Sequence, residues 1–235
     1  MSTRLIYTIG YSGYGNNPEL LISELKKRGI DVLIDVRSNP YSAQFNGYNK
    51  EWFEKILLRH GVQYRNYAEY FGAKQKNNVF YSKFDGQNMR IDYDIFARST
   101  QFKNGVNNMI AIVDKGFSPV IMCSEKDPMN CHRAIMVARV LFNDYGFAIE
   151  HIVPDTKDES QADLEKRMVE TITNELEHKK KLNSLEQEMK EKIIAAKSPS
   201  FFTDDPSQYL KDINNYYRII NSRIGWTREE VLGYK

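Results

Sequence analysis

Short apolar runs alternate with segments of helical period from residue 4 to residue 153, and this alternation limits the fold more than any other feature. Arg4–Ile9, Asp31–Val36, Val62–Asn66, Pro119–Cys123 and Ala148–Val153 read as strands. Val32, Leu33 and Ile34 show no polar alternation, as expected of a strand buried on both faces. Between the strands, Asn17-Pro18 opens a helix whose apolar face is Leu21, Ile22 and Leu25, and Gly29 stops it. Asn49–His60 forms a second helix, with Trp52, Phe53, Ile56 and Leu57 at core spacing. Tyr93–Lys115 is largely helical and ends at Gly116. Asp127-Pro128 starts a helix running to about Tyr145. Strands alternating with helices imply crossover connections, hence an α/β fold with a mostly parallel sheet and helices on both faces.

Two further stretches depart from this pattern. Residues 68–90 are polar and aromatic and read as a long irregular loop or lid. After Pro154 the composition shifts to Glu and Lys, with Leu164, Met168, Ile172, Leu176, Leu182, Leu185, Met189 and Ile193 at three- and four-residue steps. Those residues predict one or two long amphipathic helices interrupted near Lys179-Lys180-Lys181. Pro199 and Pro206 bracket a loop. Tyr209, Tyr216, Tyr217 and Trp226 then mark a small aromatic unit, and Thr227 to Glu230 has a capping-box pattern. The expected organisation is an α/β domain over 1–154 and a helical C-terminal extension over 155–235.

Net charge is +2, from 33 basic and 31 acidic residues, which argues against a bulk polyelectrolyte binder. No run approaches the roughly twenty apolar residues of a membrane span. Two cysteines do not make a disulfide framework, and free thiols suit a reducing compartment, so a cytoplasmic protein is expected.

Both cysteines fall in one stretch, Cys123-Ser-Glu125-Lys-Asp-Pro-Met-Asn-Cys131-His132-Arg133. Ligands of open parallel sheets bind outside the carboxyl ends of the strands. Three segments place unusual polar residues there: Gly10 to Ser12, Asp35-Val36-Arg37-Ser38, and Cys123-Ser-Glu125. If Pro128 opens a helix, Cys131 lies in its first turn beside His132 and Arg133, where a thiol is readily ionised. Cys123 is then a resolving or second nucleophile, and Glu125 and His132 are the proton-transfer groups. Arg37 and Arg133 suit capture of an anion, aided by Ser12, Ser38, Ser42 and amides near Gly10. The opposing reading makes these arginines loop-positioning ion pairs and the cysteines a buried structural pair. No metal site is expected, because adjacent Cys131 and His132 on a helix point about 100° apart. Aromatic residues from Tyr64 to Phe84, interleaved with Arg65, Lys74, Lys76 and Lys83, suit stacking on a nucleobase. His151 ends a strand within reach of the site.

These motifs resemble the domain-of-unknown-function 488 family. The likeness runs through Thr8-Ile9-Gly10-Tyr11-Ser12, Asp35-Val36-Arg37 with Pro40 and Ser42, Gly61-Val-Gln-Tyr64, Phe71-Gly72, Cys123-Ser-Glu125 to Cys131-His132-Arg133, and His151-Ile152. It covers about residues 4–152 and implies a Rossmann-like domain with its site at these motifs, including Tyr64. It names no activity and no cofactor. Members commonly carry histidine where this chain has Tyr11, so no role of that histidine transfers.

The expected function is an enzyme that binds an anionic, nucleotide- or nucleic-acid-like substrate, with Cys123, Glu125, Cys131, His132 and Arg133 as the reactive cluster. The alternatives are a non-catalytic nucleotide or nucleic-acid module and a thiol-based redox or metal sensor. The C-terminal helices could serve as a homodimer arm. No membrane partner is expected.

Overall fold

The computed structural model describes residues 4–84, 88–197 and 213–233. Six strands form one sheet in the order β3-β2-β6-β1-β7-β8. They are β1 (Leu5–Gly10), β2 (Val32–Asp35), β3 (Gln63–Asn66), β6 (Pro119–Cys123), β7 (Ala148–Ile152) and β8 (Glu159–Ser160). The first five run parallel, and β8 pairs antiparallel with β7. A separate hairpin joins β4 (Tyr81–Lys83) to β5 (Met89–Ile91).

Side chains alternate across the sheet, as the two-residue strand period requires. Leu33, Val120 and Met122 pack with Leu21, Ile22 and Leu25 of α1 (Pro18–Lys27) and with Phe53, Ile56 and Leu57 of α2 (Lys50–Arg59). Val32, Ile34 and Ile121 face the other way. They share a core with α5 (Thr100–Asp114), with Ala134 to Leu141, and with α7 (Gln161–His178), α8 (Ser184–Lys197) and α9 (Ile213–Ile224). Helices therefore cover both faces. The second core carries side chains from both sides of residue 154. Leu164, Met168, Ile172 and Leu176, the apolar stripe that suggested a dimer arm, are fully buried within the same chain.

Several expectations are corrected. Tyr93–Lys115 is two helices, α4 (Tyr93–Ala97) and α5, because the Ser99 hydroxyl accepts from Phe102 N–H and starts a new helix. Residues 68–90 are not one irregular loop: they hold the short helix α3 (Ala68–Phe71), β4 and the start of β5. Tyr64, Tyr67, Phe71, Phe80, Tyr81 and Phe84 are buried core residues, which removes them as stacking surfaces for a base. Trp52, expected in the core, is 54% exposed, whereas its neighbour Phe53 is fully buried. The Glu/Lys-rich helices break between His178 and Ser184, as the sequence predicts. The Pro199–Pro206 loop and Tyr209 lie outside the described residues. No helix among the described residues is long and apolar enough to cross a membrane.

The helix expected from Asp127 to Tyr145 is also interrupted. Asp127 caps only a single 3-10 turn, Pro128–Asn130, by accepting from Met129 N–H. Cys131 is extended (φ −135°, ψ 133°), and a π-helical segment, Arg133–Ala138, then leads into α6 (Arg139–Asn143). Cys131 accordingly precedes the longer helix instead of lying inside its first turn.

Candidate functional site

The carboxyl ends of β2 and β6 lie side by side, with Asp35 registered against Met122. Past those ends lies a pocket of about 230 Å³ lined by Arg37, Ser38, Asn39, Tyr41, Ala73, Lys74, Cys123, Ser124, Glu125, His132 and Trp226. Six of the residues singled out in the sequence therefore meet: Arg37, Ser38, Lys74, Cys123, Glu125 and His132. Cys131 joins them from beneath, being 1% exposed, and its sulfur lies within 4.8 Å of the Cys123 sulfur and a His132 ring nitrogen.

Distances define the floor of the pocket. Cys123 Sγ stands 3.4 Å from Glu125 Oε2 and 3.7 Å from His132 Nδ1. His132 Nε2 lies 3.1 Å from the Val36 carbonyl, which can only accept, so Nε2 carries a proton. Burial drives the Cys123 thiol well above its ordinary range, and the Cys131 sulfur adds to the shift. Burial also opposes ionisation of Cys131. There the hydrogen bond from Cys123, the Arg133 guanidinium and His132 outweigh it, and they hold this thiol well below the ordinary range. For His132, burial opposes the charge, but the Cys131 sulfur overcomes it and raises the imidazole. The Glu125 carboxyl is pushed up to about 7 by burial and then by the Cys131 charge. The residue as a whole is exposed at the rim, so solvent screens part of that effect.

Arg37 is buried, and its Nη2 pairs with Asp35 Oδ2 at 2.6 Å and donates to the Tyr48 carbonyl. Burial works against its charge, and the Asp35 hydrogen bonds overcome that and keep the guanidinium protonated. Nη1 has no hydrogen-bond partner among the described residues. Tyr11, the departure from the family pattern, lies with its ring 5.1 Å from the Arg37 guanidinium and stacks on Tyr48.

The other expected site residues build the loops. Arg133 is fully buried and donates to the Glu125 and Lys126 carbonyls at 2.6 and 3.3 Å, and to Thr8 Oγ1. It clamps the loop after β6 and does not line the pocket. Gly10 lies against that loop, where an added Cβ would sit 1.8 Å from the Glu125 carbonyl oxygen. Ser12 N–H donates to the Ser124 carbonyl. Tyr64 donates to Asp35 Oδ2, and Ser42 Oγ accepts from Phe45 N–H. His151 does not reach the pocket: it is fully buried, with Nδ1 2.7 Å from Thr8 Oγ1 and Nε2 2.9 Å from Gln161 Oε1.

Sequence reasoning missed Trp226. Its carbonyl accepts from Ile91 N–H, which ties the segment after α9 to β5, and its ring lies 3.6 Å from Lys74 Nζ. Lys74 N–H in turn donates to Ser38 Oγ. A larger cavity of about 520 Å³, lined by residues including Gly13, Arg28 and Pro154, has neither thiol nor imidazole. Its Arg28 is already paired with Glu24 and Asp158.

The profile of the family described as "Domain of unknown function DUF488" matches residues 17–140. The chain belongs to this family. The DUF488 match takes in Arg37, Lys74, Cys123, Glu125, Cys131 and His132. Gly10, Ser12, His151 and Trp226 lie beyond its limits. No curated protein and no solved structure matches the chain.

Proposed function

We propose that this DUF488 protein is an enzyme acting on a small organic anion, nucleotide-like in size and charge, bound where β2 and β6 end. One observation carries the reading: a single pocket combines the buried Arg37 guanidinium, whose solvent-shielded Nη1 has no partner among the described residues, with Ser38, Lys74 and the Cys123–Glu125–His132 floor. An arginine with unused donor capacity suits a phosphate or carboxylate. Trp226 is partly exposed at the pocket wall with Lys74 Nζ over its ring, an aromatic–cation pair suited to a planar anionic ligand. Ligand sites for drug-sized molecules span roughly 300–1,000 Å³, so a pocket of about 230 Å³ would enclose the anionic group and leave the rest of a nucleotide at the rim beside Trp226. Glu125, exposed at the pocket rim, is the proton-transfer group in this reading, reaching the substrate over Cys123.

The near-complete burial of both sulfurs supports a second reading, a binding module without turnover. Trp226 fluorescence in a Trp52→Phe background tests both. Nucleoside monophosphates or inorganic phosphate should change the emission saturably, with Kd below about 1 mM. Lys74→Ala should weaken binding by roughly threefold to tenfold, as loss of one partly exposed charge contact. Product formation from the bound ligand, followed by phosphorus NMR, separates enzyme from module. No saturable response to any anion would overturn both.

A further inference from the structure

Three soft donors converge beneath the pocket. The sulfurs of Cys123 and Cys131 and a ring nitrogen of His132 all lie within 4.8 Å of one another, on three buried residues. The backbone explains how neighbours in sequence can share a focus. Cys131 is extended, so it and His132 are not successive residues of a helix, and both turn back toward the end of β6. Arg133 holds the intervening loop by its carbonyls, fixing the distance between Cys123 and the later pair.

We propose that Cys123, Cys131 and His132 together bind one tetrahedral divalent transition-metal ion, zinc by the chemistry of the donors, with the fourth position facing the pocket. Metal–sulfur bonds near 2.3 Å and metal–nitrogen bonds near 2.0 Å place tetrahedral donor atoms roughly 3.6 Å apart. The Cys123 Sγ to His132 Nδ1 distance is 3.7 Å. The Val36 carbonyl accepts from His132 Nε2, which in the neutral ring turns the Nδ1 lone pair toward the sulfurs. That carbonyl–imidazole contact is the outer-shell support a metal-binding histidine ordinarily has. Two thiolates and one imidazole form a soft set that selects zinc over magnesium or calcium. Cys123 and His132 line the pocket, whereas Cys131 does not, so an open position would face substrate. Glu125 is not in the convergent set. Its Oε2, 3.4 Å from Cys123 Sγ, is placed to hydrogen-bond a water in that position. The inference rests on the thiol–imidazole cluster and stands whether or not an organic anion binds above it.

Metal content of the full chain, exposed to Zn²⁺ and desalted without chelator, tests the site, and Co²⁺ provides a spectroscopic probe. About one ion per chain is expected, as for a single Cys2His site. The Co²⁺ form should show a thiolate charge-transfer band and the intense visible bands of tetrahedral cobalt. Cys131→Ser and His132→Gln should each weaken binding by more than about tenfold, whereas Ser12→Ala should not. Should those variants fail to fold, the wild-type protein still decides: Zn²⁺ must slow alkylation of both cysteines. Three results would each overturn the site. One is less than about a tenth of an ion per chain with alkylation indifferent to Zn²⁺; the others are an octahedral cobalt spectrum and metal retained in both ligand variants. None of these readouts depends on anion binding, which Trp226 fluorescence reports separately.

Discussion

His151 Nε2 lies 2.9 Å from Gln161 Oε1, and this buried contact joins the last parallel strand to the first residue of α7. It belongs to a directional chain. Arg133 Nε donates to Thr8 Oγ1, and Thr8 donates to His151 Nδ1. His151 Nε2 donates to Gln161 Oε1, Gln161 Nε2 to Tyr217 Oη, and Tyr217 to Glu165 Oε1. Each polar atom in this series is satisfied, so the loop clamp under the pocket is bonded through to the C-terminal helices. Replacing Gln161 with Leu leaves the His151 N–H and the Tyr217 oxygen short of a partner. It should cost about 1–3 kcal/mol in urea denaturation. An unchanged midpoint would show that the chain contributes nothing to stability.

His151 also sets an acid limit. Burial, and then the Arg133 charge, push its pKa from 6.5 down to about 3. Below pH 6.5 the unfolded chain binds a proton that the folded chain refuses, so stability falls as pH falls from 6.5 toward 3. At pH 5 the loss is about 2 kcal/mol. Denaturation of wild type and His151→Gln at pH 7 and pH 5 isolates this contribution, which the variant should lack. An equal acid loss in both would remove His151 as its source.

Gly10 is required by close approach and not by an unusual backbone angle. A methyl group there would meet the Glu125 carbonyl at 1.8 Å, and Arg133 holds that carbonyl in place. Gly10→Ala should cost about 1–3 kcal/mol through overpacking and alter anion binding by shifting the loop that carries Ser124 and Glu125 of the pocket wall. A variant with unaltered stability and binding would contradict the clamp.

Arg133→Met tests the clamp from the other side. It leaves the Glu125 and Lys126 carbonyls and Thr8 Oγ1 without their donor, at a cost of about 1–3 kcal/mol for each group kept from water. Arg133 does not touch the pocket, so its loss should affect binding only by loosening the loop. Added guanidinium should therefore restore less binding than it would at an arginine that contacts the ligand. Full rescue would reassign Arg133 to direct contact.

Much of this was legible in the sequence, for identifiable reasons. β2 and β6 are apolar on both faces, and their carboxyl ends carry Arg37 and Cys123, so the pocket follows from sheet order once β2 and β6 are neighbours. Trp226 was not legible as part of the site. It meets Lys74 only because the segment before α10 (Arg228–Leu232) docks on β5, and no local pattern records a contact between positions so far apart. The break at Cys131 lacks the glycine or proline that usually marks one. Its neighbours from Arg133 to Ala138 are buried all round, which hides the helical period. The aromatic segment 64–84 misled for the opposite reason, since a core-forming run and a stacking surface share one composition.

A crystal structure of the protein grown with a nucleoside monophosphate decides where the anion binds. The anionic group should lie beside Arg37, Ser38 and Lys74, above Cys123 and Glu125, with the ligand's ring against Trp226. A ligand ordered instead in the cavity at Gly13, Arg28 and Pro154, with the β2–β6 pocket holding only solvent, would contradict this placement.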